Sequence, residues 1–115
     1  MTGTAYKILA AEEWRAALAE GRYEGSAVDL ADGYIHMSTG EQLVETVRRH
    51  YAGRDDLMLL TVDLARFGAD LVWEPSRGGD LFPHLYAPLP VAAVTASRAM
   101  SVTADGEMAF EDNHP

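Results

Sequence analysis

The segment Leu57–Val62, Leu-Met-Leu-Leu-Thr-Val, is a continuously apolar run. A strand with one face in water alternates apolar and polar residues, whereas an unbroken run of this kind demands cover on both faces. It therefore predicts a central strand. At 115 residues the chain has room for one core built around that strand and not for two. A domain of this size buries roughly two-thirds of its unfolded surface, enough for stability without covalent staples. The expectation is a single domain over residues 1–115, with its core over about residues 4–104 and a frayed tail at Glu111–Pro115.

Around that strand the other elements read as follows. Thr4–Leu9 is a short apolar strand, with Tyr6 and Ile8 on one side and Ala5, Lys7 and Leu9 on the other. Ala11–Glu20 is a helix with Glu12 and Glu13 in its first turn and Gly21 as its stop. Its buried stripe is expected to hold Trp14, Ala17 and Leu18. Arg22–Gly33 is turn-rich, and Tyr34–Met37 follows as a second strand. A second helix opens at Ser38 or Thr39, each with a capping box, to Glu41 and Gln42 respectively, and ends near Gly53. Leu43, Val44, Val47 and Tyr51 form its apolar face, and Glu45, Arg48 and Arg49 its solvated one.

Asp70–Glu74 is another strand, and Pro75–Asp80, with Gly78-Gly79, a loop. Leu81–Pro90 carries three prolines, which excludes a regular inner strand. Val91–Met100 reads as a strand, with a hairpin over Ser101–Phe110 around Asp105-Gly106. Two helices amid about six strands, not strictly alternating, give an α+β class rather than a doubly wound sheet.

Nine basic against 18 acidic residues leave a net charge of −9, which repels duplex phosphate and argues against general nucleic-acid binding. A small nucleotide or phosphorylated metabolite held by a few local cations remains compatible with that charge. No cysteine is present, so disulfides, thiolate metal sites and cysteine nucleophiles are excluded, in keeping with a reducing compartment. The opening residues show no signal peptide, and no apolar run approaches the roughly 20 residues of a membrane helix. A cytoplasmic, soluble protein is expected.

Two segments carry candidate chemistry. In Gly33–Thr39, alternation sets Tyr34, His36 and Ser38 on one face and Ile35 and Met37 on the other. His36 and Ser38 would then meet where a helix begins, a ready place for an anion or for proton transfer, although Ser38 reads first as a helix cap and His36 equally as a partner of a backbone carbonyl. In Trp73–Tyr86, prolines stiffen the backbone and His84 and Tyr86 fall on one side. Glu74, at a strand end, is a candidate general base or ribose-hydroxyl acceptor, and Trp73 a core residue or pocket wall. Lys7, in an apolar strand, has to snorkel or meet an anion: a phosphate, Asp29 or Glu74. Arg98, in another apolar strand, is a candidate buried ion-pair partner. His36, His84 and Glu74 are of the right types for a zinc site but lack close ligand spacing, so no metal is expected. Walker, GxGxxG and GxSxG motifs are absent.

Tyr-Lys-Ile-Leu with Glu-Glu-Trp, Gly-Tyr-Ile-His-Met-Ser, Arg-Asp-Asp-Leu, Trp-Glu-Pro and Leu-Phe-Pro-His-Leu-Tyr-Ala-Pro-Leu together resemble the bacterial domain-of-unknown-function 952 family, from Ala5 to about Met100. The resemblance implies a fold like that of ADP-ribosyltransferases, two small, mainly antiparallel sheets with about two helices flanking a cleft for NAD. It implies Lys7 or Tyr6 at the first-strand position, Ser38 beside His36 at the second, and Glu74 or His84 at the third. Family members carry histidine, cysteine and glycine where this chain has Lys7, Met37 and Ala87, and lysine holds a phosphate without copying histidine's donor–acceptor role. The resulting expectation is an ADP-ribosyltransferase-like enzyme or relic with NAD as substrate. Catalytic residues would be His36, Glu74 and His84, and ligand-binding ones Lys7, Ser38, Thr39, Trp73 and Tyr86. The alternatives are a non-catalytic metabolite- or protein-binding module and a metal-dependent hydrolase.

Overall fold

The structure, a computed structural model, describes residues 3–76 and 79–110. Gly78 of the expected loop and the expected tail Glu111–Pro115 lie outside the described residues. In chain order the elements are β1 (Thr4–Ala10), α1 (Ala11–Glu20), β2 (Arg22–Tyr23), α2 (Ala27–Asp32), β3 (Ile35–His36), α3 (Gly40–His50) and β4 (Leu57–Asp63). They continue with β5 (Leu71–Pro75), β6 (Leu81–Leu85), β7 (Leu89–Pro90), β8 (Val94–Val102) and β9 (Met108–Phe110). Short 3-10 turns at Leu64–Arg66 and Val91–Ala93 lead out of β4 and into β8.

The strands make an antiparallel sheet in the order β1-β4-β8-β9, a second in the order β3-β6-β5, and a two-stranded ribbon of β2 with β7. This is a small α+β fold. The run at Leu57–Val62 behaves as its composition demands. Leu60 and Val62 project into one apolar cluster, with Ala5, Leu9, Trp14, Ala17, Ile35 and Leu85. Leu57 and Leu59 project into another, with Ile8, Leu43, Val47, Met100 and Val102. The large sheet is thus sandwiched between α3 on one side and α1 with the small sheet on the other. Among the described residues the backbones of the two sheets are bridged at Tyr6 and Ser38, through Tyr6 N to Ser38 O at 2.8 Å and Ser38 N to Tyr6 O at 2.9 Å.

Several expectations need correction. The stretch Arg22–Gly33 is not only turns: Ser26 and Asp29 close a capping box that starts α2. Leu81–Leu85 is the middle strand of the small sheet despite Pro83. The Pro83 carbonyl accepts from Met37 N at 3.2 Å, so its nitrogen faces the same side, where β3 has already ended. No ladder bond to β5 is sacrificed there. Leu18 and Val44 are exposed, because α1 buries Trp14 and Ala17 and α3 buries Leu43 and Val47, leaving each expected partner on the flank of its stripe. Arg98 is likewise exposed, with its guanidinium 3.9 Å from the centre of the Phe110 ring.

Burial predicts a contrast. Leu60→Ala should cost about 2–5 kcal/mol in urea unfolding, whereas Val44→Ala should stay within about 0.5 kcal/mol of the parent.

Candidate functional site

Strand register builds the site. Ile35 pairs with Leu85 and His36 with His84, so the first pair faces the core and the two imidazoles stand side by side on the opposite face. Their ring centroids are 5.7 Å apart at 66°. Tyr34 and Tyr86, each two residues from a histidine, project to the same side. The Tyr34 ring stacks on His84 at 4.1 Å and lies 4.6 Å from His36 and 5.1 Å from Tyr86.

Glu74 pairs with Phe82 on the neighbouring strand, one step diagonally from His84. Its Oε1 lies 2.7 Å from His84 Nδ1 and accepts from the Tyr86 hydroxyl at 2.8 Å. The His84 bond first, and the Tyr86 bond second, hold the Glu74 carboxyl below its usual range. The same contact pushes the Tyr86 hydroxyl up. A carboxylate on Nδ1 fixes the proton there, so the neutral His84 ring keeps its lone pair on Nε2. This is a base or hydrogen-bond acceptor oriented by a carboxylate. His84 is buried under Tyr34.

His36 is held from both ends. Its Nδ1 lies 2.6 Å from Asp29 Oδ1 and its Nε2 lies 2.9 Å from Asp32 Oδ2. Only the imidazolium donates at both nitrogens. Asp29 is almost fully buried, and it also accepts from His36 N at 3.1 Å and Ser26 N at 3.0 Å and pairs with Lys7 Nζ at 2.9 Å. Burial alone would raise the Asp29 carboxyl, but His36, Lys7 and Ser26 together hold it well below the usual carboxylate range. Burial pulls the Lys7 ammonium down, opposed by Asp29. Burial raises the Tyr34 hydroxyl, followed by the charges of Asp32, Glu74 and Asp29. Gly25 is required beneath this network: its φ is +121°, and an added Cβ would lie 2.8 Å from Asp29 Cβ.

The expected residues therefore divide. His36, Glu74, His84 and Tyr86 come together. Lys7 meets Asp29, one of its expected anions, and donates to the His36 carbonyl at 3.0 Å, enclosed rather than facing a cleft. Ser38 does not join His36. It is buried, with its hydroxyl 2.9 Å from Thr46 Oγ1, and the cap of α3 is Thr39 instead. Trp73 faces the core cluster, because neighbours along β5 point to opposite faces. An open depression of about 570 Å³, its lining including Thr39, Gln42, Asp80 and Phe82, is bordered by neither imidazole. No three His, Asp or Glu side chains among the described residues converge as metal ligands would.

Sequence reasoning missed Asp32 altogether and saw Asp29 only as a partner for Lys7. The signals were present: Ser26-x-x-Asp29 is a capping-box pattern, and Asp32 and His36 are four apart.

The family described as protein of unknown function DUF952 matches residues 8–97. The chain belongs to this family. The DUF952 match spans His36, Glu74, His84 and Tyr86 and begins one residue after Lys7. The crystal structure of protein CC0527 from Caulobacter crescentus is similar, with 53% identity, a TM-score of 0.87 and coverage of 92% of this chain and 93% of that one. The solution NMR structure of CC0527 gives 53% identity and a TM-score of 0.80, covering 91% and 90%. No curated protein matches the chain.

Asp29 carries a pH prediction. Its carboxyl titrates lower folded than unfolded, so its stabilisation is complete above about pH 4 and lost as pH falls toward the folded value. Asp29→Asn, which strands Lys7, should cost about 3–5 kcal/mol at pH 7, and the gap to the parent should narrow below about pH 4 in chemical unfolding.

Proposed function

We propose that the protein is an ADP-ribosyltransferase-like enzyme or relic that takes NAD or another ADP-ribose-containing nucleotide against the Tyr34–His36–His84–Tyr86 face. The observation that carries this reading is the Glu74–His84 pair beneath the Tyr34 ring. A carboxylate-oriented imidazole with a basic Nε2 suits a ribose hydroxyl, which donates one proton and accepts another. The tyrosines offer ring faces for a base or nicotinamide. The ADP-ribosyltransferase-like assignment draws support from the two antiparallel sheets, of four and three strands.

Lys7 has a supporting part in this reading. It neutralises Asp29 and leaves phosphate contacts to His36 and backbone amides. Its enclosure favours a second reading, in which the face binds a metabolite or protein without chemistry, since the first strand brings no free cation to a reacting group.

Titration calorimetry with NAD, ADP-ribose and AMP tests the proposal. Binding by at least one is expected, with Glu74→Gln and His84→Ala each weakening it about tenfold or more through the lost charged hydrogen bond. No heat from any of the three at millimolar concentration would remove the nucleotide reading. Release of nicotinamide from bound NAD, followed by chromatography, separates the enzyme from the binding module.

A further inference from the structure

We infer that the outward Nε2 of His36 is an oxyanion subsite, and that Asp32 is its resident occupant, displaced by a phosphoryl or carboxylate oxygen of the ligand. The inference rests on the tyrosine–histidine face being the ligand site, and it adds the group that reads ligand charge. The protein itself displays the bound state, since a carboxylate oxygen already sits 2.9 Å from Nε2.

The two carboxylates on His36 differ in kind. Asp29 is 1% exposed and tied to β1 by Lys7 and to the start of α2 by Ser26. It keeps the ring aimed when the other partner changes. The Asp32 side chain is 49% exposed and the His36 ring 33% exposed, so solvent and ligand reach this contact. Exposed pairs four residues apart are weak. Asp32 is moreover the last residue of α2, where the helix dipole disfavours a negative charge, and no basic residue of that turn compensates.

Charge favours exchange over addition. Lys7 and the His36 ring face Asp29 and Asp32, and Glu74 sits on the neighbouring His84. An anion that merely joined this group would meet an excess of carboxylates. One that replaces Asp32 leaves the local sum unchanged, while the freed aspartate turns into water at little cost. Tyr34, whose ring lies 4.6 Å from His36 and whose hydroxyl stays protonated, walls one side of the position.

The test is imidazole 15N spectroscopy on the full chain, titrated with inorganic phosphate and, separately, acetate. Parent, Asp32→Asn, Asp32→Ser, Glu74→Gln and His36→Gln are compared, with thermal melts to establish folding. Phosphate or acetate should shift His36 Nε2, and the preferred anion distinguishes a phosphoryl from a carboxylate ligand. Both Asp32 variants should bind it roughly threefold or more tightly, and His36→Gln should lose it. Unchanged affinity in the Asp32 variants would overturn the subsite, as would equal tightening by Glu74→Gln, which removes a carboxylate without freeing His36. Anion binding that follows this pattern while NAD, ADP-ribose and AMP fail to bind would keep the subsite and remove the nucleotide reading. Nucleotide binding indifferent to both Asp32 variants would do the reverse.

Discussion

A buried carboxylate organises this fold. Asp29 takes hydrogen bonds from the backbone of Ser26 and from the backbone and ring of His36, and it faces the ammonium of Lys7. It thereby fastens the start of α2, the strand β3 and the middle of β1 to one another. A lone carboxylate there would be expensive to bury, and so would Lys7. Each is admissible because the other is present, and His36 supplies the remaining donors. The site is consequently an outgrowth of the core: its inner wall is an ion pair enclosed between two sheets, and its outer wall is a pair of tyrosines.

Much of the fold was legible. The unbroken run Leu57–Val62 marked a strand with two covered faces, and the clusters containing Leu60 and Leu59 occupy those faces. Alternation through Tyr34–Met37 sorted Ile35 and Met37 to the core and His36 away from it. The hairpin around Asp105-Gly106 forms as its turn residues indicate, with β8 pairing β9. What failed was reasoning that stopped at single residues. Pro83 argued against an inner strand, yet a proline is harmless where its nitrogen points past the end of a neighbour, and that depends on a register no local pattern contains. Leu18 and Val44 looked like core residues because helical spacing marks a stripe without fixing its width.

The candidate site was half legible for a related reason. Residue chemistry drew attention to His36, His84 and Glu74, and register brings them together. Ser38 and Trp73 seemed to belong by proximity in the chain. Ser38, though, is taken up by the junction with Tyr6 and by Thr46, and Trp73 turns inward. Asp32 escaped notice because its role follows from the short helix α2, six residues that composition alone presents as a turn. A short helix adds little stability of its own, but it sets where the next strand begins and which side chains meet it.

The Tyr6–Ser38 junction has a mechanical corollary. Backbone hydrogen bonds stitch each sheet internally along several residues, whereas among the described residues one backbone-bridged pair, Tyr6 with Ser38, links the two. The imidazoles and Glu74 all ride on the smaller sheet, while Lys7 rides on the larger one. The Lys7–Asp29–His36 connection therefore spans both sheets. The buried ion pair thus ties the His36 ring to the larger sheet as well as to its own.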